Sequence, residues 1–201
     1  MINRAFDTPW KVWNELGRFA VYPWVRMLFA LNHIPWGRGW RFYGVPILQK
    51  HRQSSMRFGP GLSLRSTLSS NPLGPNHAVF LCTWQKESCL EIGENFAMTG
   101  GSLCAVESIT IGSRVAVGAN CTIVDTDFHP LDPARRLTNP NEGRTSPVVI
   151  EDNVFIGMNC LVLKGVTIGQ GSVIGAGSVV TRSIPAGVIA AGNPAKVLRE
   201  L

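Results

Sequence analysis

The sequence predicts an all-β protein, a parallel β-helix of hexapeptide repeats that carries an ejected loop and follows a helical N-terminal extension. Three observations predict it. From Ile150 onward every sixth residue is aliphatic: Ile150, Ile156, Val162, Ile168, Ile174 and Val180. A six-residue step cannot mark one face of an α-helix, whereas short strands separated by tight turns produce it naturally. The composition agrees, with 21 glycines and 13 prolines against 16% charged residues, a turn-rich and charge-poor balance. Finally the same step occurs earlier, at Ile111, Val117 and Ile123, but Ile123 and Ile150 lie 27 residues apart, which is not a multiple of six. A segment has been inserted into the repeat.

Residues 1–60 form the N-terminal extension. Positions 10–43 hold five of the six tryptophans together with Arg18, Arg26, Arg38 and Arg41. Pro23 and Arg26 interrupt this stretch too much for a membrane span, and its layout is not that of a signal peptide. A helix and arm are expected, resting either on a membrane surface as a peripheral contact or over the end of the prism or a neighbouring subunit. Residues 61–201 are expected to form the coil. Three hexapeptides make one turn of a triangular prism, with the aliphatic anchors inside and coils stacked about 4.8 Å apart. Four residues after each anchor stand Val154, Cys160, Val166, Ser172, Ser178 and Ile184, all small or aliphatic, with Val115 and Cys121 in the earlier stretch. The ejected loop, 125–147, opens with "DTDFHPLDPARR", which puts three aspartates, a histidine and two arginines into twelve residues. A loop this long inside a compact domain is usually functional or disordered. The ending "NPAKVLREL" reads as a short C-terminal helix.

The net charge is +6, but lysines and arginines are scattered and form no basic run with interleaved aromatics, so nucleic acid is a poor partner. A phosphorylated small molecule, an anionic membrane surface or a mildly basic solvated exterior fits equally. Five cysteines without a C-x-x-C spacing indicate neither a disulfide framework nor a structural zinc site. A cytoplasmic protein is expected, with the aromatic, basic N-terminus adding the inner face of the membrane to that expectation. The four histidines have no spacing that would place three on zinc, so no metal is expected.

The hexapeptides, the loop with D-x-D-F-H-P and the ending "IAAGNPAKVLREL" give residues 70–201 a family resemblance. They resemble the left-handed β-helix acyltransferases, the isoleucine-patch family, and within it the O-acetyltransferases of capsule, lipopolysaccharide and exopolysaccharide synthesis. Galactoside and maltose acetyltransferases are similar more distantly. The resemblance implies a left-handed coil, a homotrimer with active sites between subunits, acetyl-CoA as co-substrate and a saccharide hydroxyl as acceptor. It also implies that the loop histidine, here His129, acts as general base in direct transfer without an acyl-enzyme. Imidazole suits the task, since its ordinary pKa of about 6.5 leaves it able to accept a proton near neutrality.

Asp125 and Asp127 alternate on the strand entering the loop and so share a face. Either one, Asp127 first, is a candidate to orient the imidazole or hold a sugar hydroxyl, with capping of the strand end as the alternative. His77, in the Pro/Asn-rich stretch "NPLGPNHAVFLCT", is a second candidate for positioning the acceptor, with a structural histidine as the alternative, and the resemblance implies an aromatic floor at Phe155, where the family often has tryptophan. By motif match, coenzyme A would contact Met158, Ala176, Thr181, Arg182, Lys196 and Arg199, the last three having charge to offer phosphate. Lys164, Asp132, Arg135 and Arg136 read as turn or solvated charges. The competing functions are N-acetylation of an amino sugar, which the same base would serve, and a non-catalytic β-helix scaffold.

Overall fold

A computed structural model describes residues 7–201. Its body is the expected left-handed parallel β-helix, in which each coil crosses three faces in turn. Phe155–Ile156 lies on face A, Leu161–Val162 on face B, Thr167–Ile168 on face C, and Val173–Ile174 on face A again. Every strand pairs in parallel with its counterpart one coil away, except in a hairpin at the C-terminus. Side chains of one parity point inward and stack in columns. On face A the column runs Phe42, Leu64, Met98, Val117, Ile156, Ile174 and Ala190. All of these are buried, as are the anchors Ile111, Ile123, Ile150, Val162, Ile168 and Val180. Cys121 and Cys160 also lie inside, where each thiol behaves as a small apolar group.

Corners are sharp. At the turn from face A to face B the chain passes through Asn120, Asn159 and Gly177 with φ between 57° and 71°, a left-handed conformation that Asn and Gly tolerate best. Beside them the backbones touch: a Cβ on Gly157 would stand 2.5 Å from the Ala176 nitrogen. The loop leaves at the next corner, between faces B and C. Ile111 pairs with Ile150 in one column although 39 residues separate them, whereas Ile150 to its next partner Ile168 takes 18. The extra chain is the insertion that shifted the phase of the repeat.

Three features depart from expectation. The coil begins at Arg41, not residue 61, because Arg41–Tyr43, Ile47–Lys50 and Ser55–Phe58 form a first turn. Phe42, Leu48, Met56 and Phe58 fill its interior, and these larger residues hide the aliphatic step. The ending forms no helix: Ala195–Glu200 folds back as an antiparallel strand on Val188–Gly192. The strand satisfies the open edge of face A, which a helix there would leave unpaired. The loop, in turn, contains a short helix absent from the sequence reading, α2 (Pro133–Thr138), capped by Asp132, whose side chain accepts from the Arg135 N–H at 2.8 Å.

The N-terminal helix, α1 (Pro9–Leu31), runs unbroken through Pro23. Its Val25 and Phe29 are buried, and the Phe29 ring lies 5.4 Å from that of Phe42 and 6.1 Å from that of Phe58, centroid to centroid. Those two residues point inward from faces A and C of the first coil, so Phe29 plugs the end of the prism. Stacking predicts its own weak point. Gly157→Ala should force neighbouring coils apart and cost about 1–3 kcal/mol, seen as a lower urea midpoint with an unchanged denaturant slope.

Candidate active site

The loop is tied shut at its base by a short antiparallel ladder. Ser146 donates to the Asp125 carbonyl and Asp127 to the Arg144 carbonyl, each at 2.9 Å, with Thr126 and Thr145 bridged between them. Asp125 itself is fully buried, and its carboxylate accepts from the backbone N–H of Val106 at 2.8 Å and of Glu107 at 2.7 Å. Burial pushes this carboxyl above the usual carboxylate range, against the pull of those bonds. Asp125 therefore anchors the loop to the preceding coil, and the substrate contact expected of it is corrected: no substrate can reach it.

Next comes a tight turn. Phe128 takes φ 58°, its N–H donates to Thr126 Oγ1 at 2.9 Å, and the His129 N–H donates back to the Asp127 carbonyl at 2.7 Å. A bulky residue at positive φ is strained and persists only where its surroundings enforce it. Here the returning arm of the loop does so: a Cβ on Gly143 would meet the Phe128 carbonyl carbon at 2.5 Å and the His129 nitrogen at 2.7 Å. The turn pushes His129 out beside Phe128, into a cleft of about 280 Å³. Its Nδ1 lies 2.6 Å from the Pro140 carbonyl oxygen. A carbonyl only accepts, so Nδ1 carries a proton, and in the neutral ring Nε2 is then the nitrogen left with a lone pair.

The orientation expected of Asp127 is thus supplied by Pro140. Asp127 instead pairs with Lys164, Nζ to Oδ1 at 2.6 Å, across one coil. Its Oδ2 is buried and lacks a hydrogen-bond partner among the described residues. Trp84, Gln85, Thr126 and Asn141 complete the cleft, and none of them was singled out in the sequence. A signal did exist: Trp84, Val106 and Thr126 stand just after the face B strands Phe80–Thr83, Ser102–Ala105 and Thr122–Val124, and so share the corner from which the loop leaves.

The remaining candidates divide between two edges of the prism. Thr181 and Arg182 follow Val179–Val180 on face B, placing them on the His129 edge below Lys164. Met158 and Ala176 sit at the A–B corner, across face B from His129, with Gly177 donating to the Met158 carbonyl at 2.8 Å. His77 is at this second edge too, on the excursion between Ser63–Arg65 and Phe80–Thr83; it is exposed, with Nδ1 2.7 Å from the Ala78 carbonyl oxygen. Lys196 pairs in register with Ala191, whose Cβ lies against Gly175, so it borders the same corner. Arg199 is further along that strand, opposite Ile189, and Phe155 projects from face A, 49% exposed. Within one chain, then, neither His77 nor Phe155 joins the His129 cleft. Arg182, Lys196 and Arg199 are all exposed and open to a ligand.

Comparison with known proteins bears on the family. Residues 147–182 match the family pattern described as the hexapeptide repeat of succinyl-transferase. The galactoside O-acetyltransferase of Escherichia coli is 41% identical over 116 residues, 57% of this chain and 55% of the relative. A 2,3,4,5-tetrahydropyridine-2,6-dicarboxylate N-acetyltransferase of Staphylococcus aureus is 38% identical over 91 residues, 45% of this chain and 33% of the relative. The chain thus spans between a third and just over half the length of these curated relatives. Among solved structures, a hexapeptide-repeat-containing acetyltransferase of Vibrio cholerae is 33% identical with a TM-score of 0.52, covering 60% of this chain and 70% of that one. The same Vibrio protein has also been solved with acetyl coenzyme A, and there the match covers 83% of this chain at 29% identity and a TM-score of 0.51. With 70% of the Vibrio chain matched at 33% identity, this chain belongs to the hexapeptide-repeat acyltransferases.

Proposed function

We propose that the protein transfers the acetyl group of acetyl coenzyme A to a saccharide hydroxyl, with His129 as general base. The observation that carries this reading is the 2.6 Å contact from His129 Nδ1 to the Pro140 carbonyl, which puts the proton of a neutral ring on Nδ1 and leaves Nε2 free to accept, in a side chain that lines the cleft. In the step proposed, Nε2 takes the proton of the acceptor hydroxyl as its oxygen attacks the thioester carbonyl. The tetrahedral adduct collapses with cleavage of the C–S bond, and the departing sulfur takes the proton from the imidazolium. No acyl-enzyme forms. Trp84 and Phe128 offer apolar faces to a sugar ring, and Gln85, Thr126 and Asn141 offer donors and acceptors to its hydroxyls. An odd number of cysteines without a C-x-x-C spacing supports a cytoplasmic setting.

Coenzyme A would lie along Met158, Ala176 and Lys196, with Arg182 and Arg199 available to phosphate. Because Met158 and Ala176 stand across face B from His129, a complete site calls for two copies, the His129 edge of one against the A–B edge of the next. A homotrimer provides that arrangement at every edge. A second reading is N-acetylation, with an amino sugar as the acceptor proposed: the likeness to the staphylococcal N-acetyltransferase favours transfer to nitrogen, and the same Nε2 would take the amine proton.

Thiol release from acetyl coenzyme A, measured against a panel of neutral and amino sugars, tests the proposal. Release with neutral sugars supports O-transfer, release with amino sugars alone selects the second reading, and no release with any acceptor rejects both. His129→Ala should lower kcat by about 10²–10⁴-fold while leaving coenzyme A binding and the circular dichroism spectrum unchanged. Gly143→Ala, remote from the donor, should shift the His129 turn and lower kcat by about 10–100-fold, with KM for acetyl coenzyme A unaltered. Mixing His129→Ala with Ala176→Trp, each inactive alone, should restore turnover once subunits exchange; persistent inactivity would show that one chain holds the entire site.

A further inference from the structure

We infer that α1 docks the protein onto an anionic lipid bilayer, lying in the plane of its surface. The inference rests on the outer side of the helix. Trp13, Leu16, Trp24, Met27 and Leu31 are between 51% and 73% exposed, although Val25 and Phe29 on the opposite side are buried. At 3.6 residues per turn those five fall within about 80° of arc, and the charged residues of the helix, Lys11, Glu15, Arg18 and Arg26, fall within a similar arc on the far side. The outward half of α1 is therefore apolar and free of charge along its length. Its 23 residues make a cylinder about 35 Å long, yet no described helix is long and apolar enough to cross a membrane. A long apolar face backed by a basic one is the pattern of a helix embedded at the level of lipid headgroups.

Charge selects an anionic surface. Residues 7–43 carry Lys11, Arg18, Arg26, Arg38 and Arg41 against only Asp7 and Glu15, and Glu15 is already paired with Arg18 at 2.9 Å. Each basic group within a Debye length of anionic lipid adds to the attraction. The tryptophans argue against a second copy of α1 as the occupant. The indole N–H groups of Trp13 and Trp24 have no hydrogen-bond partner among the described residues. A copy of the same apolar face would bring them no oxygen or nitrogen acceptor, and burying such donors unpaired is costly. Headgroup phosphates and glycerol esters supply acceptors at the depth where the rings would lie. Because Phe29 fastens the helix to the first coil, the prism would stand with its N-terminal end against the bilayer.

The test is co-sedimentation of the full-length protein with vesicles of equal parts phosphatidylglycerol and phosphatidylcholine, and with phosphatidylcholine alone. Binding to the mixed vesicles is expected, weaker on the neutral ones and weakened by salt. The Trp13→Asp/Trp24→Asp variant removes two exposed rings that touch no part of the core or cleft. It should lose at least about tenfold in vesicle affinity while keeping its thermal midpoint and its coenzyme A binding. Absence of binding by the native protein, or equal binding by the variant, would overturn the inference. So would light scattering that shows a larger assembly for the native protein than for the variant, because a second copy would then cover the face.

Discussion

Close stacking of backbone on backbone is the constraint from which the rest of this structure follows. Each coil must return to the same three corners and settle about 4.8 Å from its neighbour. There is room inside only for columns of apolar side chains, mostly branched aliphatics, and at the corners for residues that tolerate a left-handed turn or a touching backbone. Gly157, with the Ala176 nitrogen 2.5 Å from where its Cβ would be, shows how little slack remains. Any chemistry that needs long polar side chains or an adaptable cleft must leave the prism. The 125–147 loop is that departure, and Asp125 fixes its root by turning a buried carboxylate onto two backbone N–H groups of the preceding coil.

The same constraint governs what could be read from sequence. Anchors from Ile150 to Val180 were legible because each position faces inward under identical packing. The loop was legible as a break in phase, and His129 as the one histidine within it. The first coil was not, since its interior joins a plug: Phe42 and Phe58 are large because Phe29 meets them. Partners one coil away were equally hidden. Lys164 lies 37 residues from Asp127, and the acceptor that orients His129 is a main-chain carbonyl, which no residue type announces. The C-terminal residues could form a helix by local preference, but the unpaired edge of face A decided otherwise.

Each end of a coil of this kind exposes both core and strand edges, and the two ends meet that problem differently. At the C-terminus, where Ile184 and Val188 nearly close the interior, a hairpin pairs the last edge. At the N-terminus α1 with Trp36, Trp40 and Phe42 fills the opening with rings packed at 5.1–6.3 Å. An aromatic plug of this size needs only one side of the helix. The aromatics on its other side have no such purpose, which is why the outer face calls for an occupant of its own.

In the transfer proposed above, the part of a prism this rigid is to hold groups still. The His129 imidazole is placed by a strained turn at Phe128, by the close approach of Gly143 and by one carbonyl, all within the loop and all referred back to the coil through Asp125 and the Asp127–Lys164 pair. Lengthening the prism adds more surface but cannot bring its edges together, because face B always separates the A–B corner from the B–C corner. If coenzyme A follows the A–B edge, its thioester and His129 can meet only across two chains. On that reading, assembly completes the active site, and the flat faces that stacking imposes are what let one copy lie against the next.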